Sequence, residues 1–370
     1  MVGLCIAGCG RAPQAAWTAS LPEPCRGAQP WLSDDWALVP CLRQWHRWRR
    51  SDGAPAQPWP AEGASYLDAA AALGRHLASR HGSVLRVLGL DGDKALLEAE
   101  ADAGPFADGE RFYWSRAGAV TAWSPQGGPV ALAELGASYA LAAVAQGEGV
   151  TLLAARAQSD LQVTLNKGLV VAGYAVALDA GGRELWRTDQ LPLGAPLIRG
   201  GAVYFVDHGV LLKRLHALSL RDGRPLWQQG FGNAPSDPAK PLRSAIPETP
   251  RVSPPLAEDG TLLVGVDDGD GPRVLGLDPA SGAQRWAWRP LSDVLKGVGE
   301  QGPAFSYPVL SGGLLLLGVG ARVQALEPQH GGKAWAFEAA GPVLKAPAAD
   351  RSGWLAAAGD RLHYASQTGR

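Results

Sequence analysis

The chain of 370 residues carries 34 Lys+Arg against 35 Asp+Glu, and a net charge of −1 lacks the basic excess that a dedicated nucleic-acid binder needs for phosphate contacts. Hydrophobic residues make up 46%, enough at this length for a large core, yet no run reaches the roughly 18 uninterrupted apolar residues of a spanning helix, so a polytopic membrane protein is excluded. The 48 glycines and 29 prolines of so apolar a chain predict many tight turns between short strands rather than disorder.

All four cysteines, Cys5, Cys9, Cys25 and Cys41, fall near the N-terminus, which excludes a thiol catalyst in the main body. Ile6-Ala-Gly-Cys9 resembles a bacterial lipobox, and on that reading residues 1–9 are a signal segment and Cys9 is the lipid-attachment residue. The apolar stretch before Cys9 is short for an export signal and carries no Lys or Arg, so the natural start is expected upstream of Met1. If the chain is exported, Cys25 and Cys41 have only each other as partners, and a disulfide closing a loop of about 15 residues would stabilise by about 3 kcal/mol. In a cytosolic protein they would be two free buried thiols.

Residues 26–82 read as a helical insertion. Ser33–Arg50 aligns Leu38, Leu42 and Trp45 on one helical face, Ser51–Pro60 is a linker rich in Pro, Ala and Gly, and Ala64–His81 aligns Tyr66, Ala70, Leu73 and Leu77 before Gly82 as a C′ glycine. The run Arg43-Gln-Trp45-His-Arg47-Trp48-Arg49-Arg50 suits lipid headgroups or stacking on single-stranded nucleic acid. The favoured expectation is plainer, with the tryptophans packed on the rest of the fold and the arginines solvated.

From residue 83 onward the chain repeats. Ala177-Leu-Asp-Ala-Gly-Gly-Arg-Glu-Leu-Trp186, Ala217-Leu-Ser-Leu-Arg-Asp-Gly-Arg-Pro-Leu-Trp227, Gly276-Leu-Asp-Pro-Ala-Ser-Gly-Ala-Gln-Arg-Trp286 and Ala325-Leu-Glu-Pro-Gln-His-Gly-Gly-Lys-Ala-Trp335 share a small residue, Leu, a Gly-bearing turn and Trp. Ala122–Leu132 keeps the spacing with Leu132 in the Trp place, and Val87-Leu-Gly-Leu-Asp91 matches Val274-Leu-Gly-Leu-Asp278 before diverging. Segments opening at Pro196, Pro255, Pro308 and Pro347 add a strand, a Gly turn and a second strand ahead of each core. Four-stranded antiparallel meanders recurring at this spacing predict an all-β propeller of seven blades, or eight, over residues 83–370. The last unit stops before its Trp strand, while Ala16-Trp17-Thr-Ala-Ser-Leu21-Pro22 resembles the segment that comes after the turn in the other units, such as Trp186-Arg-Thr-Asp-Gln-Leu191-Pro192. The expectation is that residues 10–25 supply the closing strand and that Trp17 docks like Trp186, Trp227, Trp286 and Trp335.

These repeats resemble the tryptophan-docking repeats of pyrroloquinoline-quinone-type β-propellers and, with the lipobox, the propeller lipoproteins of the outer-membrane β-barrel assembly machinery. The resemblance implies a periplasmic, lipid-anchored protein, at the outer membrane because Gly10 rather than Asp follows Cys9. It further implies a monomeric, non-enzymatic scaffold with protein partners in the envelope and no cofactor. Quinone- or metal-dependent oxidation is the alternative. The vicinal cysteines that cap the quinone in many such enzymes are absent here. Gly297-Val-Gly-Glu-Gln-Gly302 is followed by Pro303, where a phosphate-capping helix would have to begin, so it reads as a loop. Asp267-Asp-Gly-Asp-Gly271 lacks the spaced ligands of a calcium loop and reads as a polar hairpin turn. No zinc-ligand spacing or activated nucleophile stands out.

Overall fold

The computed structural model describes residues 13–22, 25, 28–41, 44–60, 69–90, 95–158, 162–164, 168–170, 172–207, 209, 212–232, 250–268, 271–290 and 305–366. Cys9, Arg43, residues 64–68 and the loop Gly297–Gly302 lie outside these.

Eight antiparallel meanders succeed one another along the chain. Blade 1 comprises Trp31–Leu32, Trp36–Cys41, Gln44–Arg49 and Pro55–Pro60. Blade 2 comprises Ala69–Leu73, His76–His81, Val84–Gly89 and Ala95–Glu100. Blade 3 runs through Ala103–Ala107, Phe112–Arg116, Ala119–Ser124 and Gly128–Glu134. Blade 4 uses Tyr139–Gly147, Val150–Ala157, Gly173–Leu178 and Glu184–Thr188, with a small hairpin of Gln162–Thr164 and Gly168–Val170 between its second and third strands. Blade 5 is built from Leu197–Arg199, Ala202–Val206, Lys213–Ser219 and Pro225–Phe231. In blade 6 the first strand is split into Arg251–Val252 and Leu256–Glu258, ahead of Thr261–Asp268, Gly271–Leu277 and Gln284–Trp288. Blade 7 comprises Val309–Ser311, Leu314–Val319, Arg322–Leu326 and Lys333–Glu338.

Blade 8 closes the ring. Ala348–Ala349, Gly353–Ala358 and Arg361–Ser366 come from the C-terminal end, and the fourth strand is Trp17–Ser20, paired antiparallel from Trp17↔Tyr364 to Ser20↔Arg361. The pairing leaves no unpartnered third strand at the seam, which a sheet edge would otherwise offer to other chains.

The core lies between blades. Eight buried clusters each draw on two neighbouring sheets, and together they span every junction, including blade 8 with blade 1. At the junction of blades 5 and 6, for example, Val206, Leu215 and Ala217 meet Val264, Leu275 and Leu277. The inner strands are therefore covered on both faces. Ala37, Leu38 and Val39 are fully buried in succession, as are Leu152 to Ala155 and Leu315 to Leu317. Each buried Leu contributes about 1.5–3 kcal/mol through water released from both sides of the sheet.

That two-sided burial corrects the N-terminal reading. Among the described residues there is no α-helix, and the expected helical insertion over 26–82 is blade 1 and the first two strands of blade 2. A strand packed on both faces reads as a continuous apolar run, and over a few residues such a run fits a helical stripe as well as a strand. Leu38 and Trp45, assigned to one helical face, sit on opposite strands of a hairpin in which Pro40 pairs with Trp45. Gly82, expected to end a helix, forms with Ser83 the two-residue turn between His81 and Val84, and its φ of 60° is the left-handed value such turns require. With these sheets counted, the ring has eight blades rather than seven.

The seven blades whose third and fourth strands are joined by a turn all show a register shift in that ladder. Blade 8, whose fourth strand arrives from the other end of the chain, shows none. In blades 4 to 7 the shift falls immediately before the tryptophan, as where Ala177 faces Trp186 but Leu178 faces Glu184. A bulge there adds local twist and re-aims the next side chain toward the neighbouring blade.

Candidate interaction faces and the blade seam

The docking tryptophans occupy one end of the ring. Trp186 donates its indole N–H to Leu220 O at 2.8 Å, Trp227 to Pro279 O at 2.9 Å, Trp286 to Pro328 O at 3.1 Å and Trp17 to Arg50 O at 2.8 Å. Each acceptor lies in the turn between the third and fourth strands of the next blade. Each ring also lies against that turn's glycine, where a Cβ on Gly223 would come within 2.7 Å of Trp186 and one on Gly282 within 2.7 Å of Trp227. Gly53 and Gly331 receive Trp17 and Trp286 in the same way. Trp335 differs because blade 8 has no such turn, and it stacks on Trp354 at 5.9 Å. Turn carboxylates complete the arrangement. Asp278 accepts from the amides of Ala280 and Ser281, and the Arg285 guanidinium above all holds its carboxyl at about 2. These groups are committed to shaping turns.

The same end carries the seam between blades 8 and 1. Arg50 reaches across it with Nη1 and Nη2 each 2.6 Å from a carboxylate oxygen of Asp350, and it donates to Tyr364 Oη, Ser352 Oγ and Ser33 O. Burial by itself raises the Asp350 carboxyl, but hydrogen bonds from Arg50 and Ser352 outweigh it and hold the group below its ordinary value. An open cleft of about 530 Å³ beside the pair is lined by Asp34, Asp35, Trp36, Arg49 and Tyr364. Arg47 is stacked between Trp59, 4.3 Å from its guanidinium, and Trp36 at 5.1 Å, while Trp45 and Trp48 are buried. The expectation of solvated arginines therefore fails at Arg47 and Arg50 and suits Arg49, which is exposed and bridges to Asp52.

Cys25 and Cys41 form a disulfide. Cys25 comes after the closing strand and Cys41 ends the second strand of blade 1, so the bond ties the noncovalently paired N-terminal strand to the first full blade. Nothing local in the sequence links Arg50 to Asp350. Arg50 does, however, occupy the repeat position of Leu220 and Pro279, a signal hidden by the helical reading of Trp48-Arg-Arg-Ser-Asp-Gly53.

The opposite end holds the hairpins between second and third strands and the connections between blades. In blades 4, 5 and 6 the described residues at this end flank the longest connections of the chain: Ala157 and Gly173 bracket the Gln162–Val170 hairpin, Gly232 and Pro250 bracket a second connection, and Pro290 and Phe305 a third. Repeat proteins commonly carry such insertions on the binding face. The described residues around them are charged and mutually paired. Asp207 Oδ2 lies 3.1 Å from His216 Nε2 and 3.8 Å from Arg214, and Lys213 Nζ donates to Gly209 O at 2.8 Å. Burial raises the Asp207 carboxyl, but hydrogen bonds from His216 and the Arg214 amide override it, and burial lowers the Lys213 amine. In blade 6, Arg273 holds Asp268 with two contacts of 2.5 and 2.8 Å, Arg251 lies 3.7 Å from Asp267, and Arg251 covers the Tyr307 ring. Asp267 and Asp268 end the second strand of the blade, at the turn to its third, with Gly269 and Asp270 outside the described residues. Around the rim, the fourth strands of blades 2 to 5 expose Leu96, Val130, Leu185 and Leu226.

These residues do not fit a quinone centre. The chain has no adjacent cysteines, the described cysteines are joined to each other in the blade seam, and Asp207, Asp267 and Asp268 of the insertion face are engaged by arginine or histidine. The group of metal-ligating side chains found together among the described residues is Cys25, Cys41 and His46, which contains no carboxylate.

A sequence profile of the family described as outer membrane protein assembly factor BamB matches residues 147–286 and 213–370. Three solved structures share the fold at 11–13% identity. BamB from Moraxella catarrhalis is 13% identical with a TM-score of 0.60, and the alignment covers 96% of this chain and 100% of that one. The computationally designed Ika8 protein is 12% identical with a TM-score of 0.66, covering 95% and 99%. Quinohemoprotein alcohol dehydrogenase from Comamonas testosteroni is 11% identical with a TM-score of 0.62, covering 96% of this chain and 77% of its own. No curated protein sequence matches.

Proposed function

Because the chain belongs to the family of the outer membrane protein assembly factor BamB, we propose that it is a non-enzymatic protein-interaction scaffold of the cell envelope serving outer-membrane protein assembly. One observation carries the reading. The described residues that flank the longest connections of three consecutive blades lie on one end of the ring, and Asp207, Asp267 and Asp268 beside them are paired with Arg or His within their own blades. A rigid platform with paired charges recognises a partner by shape and complementary charge, whereas catalysis needs an unengaged acid, base or nucleophile. We further propose that the chain is periplasmic and monomeric, and that a lipid on Cys9 tethers it to the outer membrane. The Cys25–Cys41 disulfide supports an oxidising compartment.

The test places a photo-crosslinking residue at Leu212, on the insertion face, and another at exposed Arg183, on the docking-turn face, of the full chain in its native envelope. A discrete crosslinked partner from Leu212 and none from Arg183 is the expected result. Equal crosslinking from both ends refutes the assignment of the face. Intact mass of the membrane fraction tests the lipid on Cys9. Dye-linked turnover with added pyrroloquinoline quinone and Ca²⁺ would overturn the non-enzymatic reading.

A further inference from the structure

Three metal-ligating side chains meet on the side of blade 1 that faces blade 8, and the propeller's repeat does not require them. Blades 2 to 8 contain no cysteine. In the hairpin of blade 1, His46 pairs with Val39 and Cys41 lies two residues beyond Val39, so alternation puts both side chains on one face of the sheet. Cys25 approaches that face from the segment after the closing strand. The Sγ atoms of Cys25 and Cys41 and a ring nitrogen of His46 all lie within 4.8 Å of one another. Among the described residues neither ring nitrogen of His46 has a hydrogen-bond partner. Its ring stacks on Trp48 at 6.2 Å, which fixes the plane and leaves the nitrogens free to ligate. Cys25 is fully buried and Cys41 is 5% exposed.

We propose that in the dithiol state Cys25, Cys41 and His46 bind one Zn²⁺ ion through two sulfurs and one imidazole nitrogen, with a water in the fourth position. Ligand atoms around a tetrahedral zinc stand about 3.3–3.8 Å apart, so the trio needs only side-chain rotations once the S–S bond is open. Two thiolates and a neutral imidazole cancel the charge of a divalent ion, and a neutral centre is the one that burial of both sulfurs tolerates. His46 is only partly buried, which leaves room for the water. The redox step balances with a dithiol reductant. It delivers two electrons and two protons to the Cys25–Cys41 bond and becomes a disulfide itself, and zinc then displaces the two thiol protons to solvent. Either bond, S–S or S–Zn–S, ties the closing strand to blade 1, so the seam stays fastened in both redox states. This site is independent of the scaffold role.

The full chain, produced with its thiols reduced and kept anaerobic, is titrated with zinc against a chromophoric chelator and with Co²⁺ as a spectroscopic substitute. The expected result is one equivalent of zinc, a sulfur-to-cobalt charge-transfer band, and a raised melting temperature of the dithiol form. His46→Gln, which keeps both thiols, should weaken binding at least tenfold. The disulfide form, with the same fold and its sulfurs locked, should bind none. Failure of the reduced chain to take up stoichiometric zinc, unchanged affinity in His46→Gln, or equal uptake by the disulfide form overturns the proposal.

Discussion

Replacing Asp350 by Asn tests whether the blade seam depends on the Arg50 ion pair. The guanidinium side chain is 9% exposed and the Asp350 carboxylate 37%. Breaking a buried pair by removing one partner costs about 3–5 kcal/mol, because the remaining charge stays desolvated. Asp350→Asn strands the buried Arg50 and is expected to cost about 2–4 kcal/mol. Arg50→Met strands the more open carboxylate, which water can reach, and is expected to cost about 1–2 kcal/mol. The double variant should be more stable than Asp350→Asn alone, since no uncompensated charge remains. Guanidinium chloride titrations of the four proteins, monitored by tryptophan fluorescence, give the coupling energy directly. The pH dependence has a fixed sign. The folded carboxyl sits below its ordinary value of about 3.9. Its contribution is therefore complete above that value and is lost as pH falls through the lower, folded one. The gap between wild type and Arg50→Met should therefore narrow as the pH is lowered below the ordinary carboxyl value. Additive costs in the double variant, or an Asp350→Asn protein within about 0.5 kcal/mol of wild type, would refute the reasoning.

Other perturbations address the ring itself. Gly223→Ala forces a Cβ onto a residue with φ of 69° and into the Trp186 ring, and is expected to destabilise by about 2–4 kcal/mol in thermal melts. Trp186→Ala should cost about 3–5 kcal/mol from lost burial and an unpaired Leu220 carbonyl. Reducing the Cys25–Cys41 bond with chelator present should lower stability by about 3 kcal/mol, and an unchanged melting temperature would show the tether to be dispensable. A chain beginning at residue 23 exposes the edge of Arg361–Ser366 along the register now filled by Trp17–Ser20. It is expected to form dimers or larger species by size-exclusion chromatography.

The repeat was legible from residue 83 onward because its punctuation is chemical. Glycines that take positive φ and an indole at a fixed distance past the turn mark blades 4 to 7 whatever the strands between them contain, with turn carboxylates capping amides in blades 4 to 6. The missing outer strand at the C-terminus and the matching Trp17 segment at the N-terminus likewise emerge from the repeat alone. Blade 1 resisted the same reading. Its Trp48-Arg-Arg-Ser-Asp-Gly53 turn is a degraded copy, and its inner strands carry apolar residues on both faces, so the alternation that distinguishes a strand from a helix is gone.

What only the tertiary structure decided is the chemistry of contacts far apart in the chain. Arg50 meets Asp350 across 300 residues, and Arg47 finds its aromatic partners in two other strands. His46 comes beside the two cysteines only because a hairpin folds it back and ring closure delivers Cys25 to the same face. Local sequence fixes turns through backbone sterics and short-range hydrogen bonds. Which charges are paired, and which donors converge, depends on how eight sheets close on themselves, and that closure brings the first and last residues of the fold into one sheet.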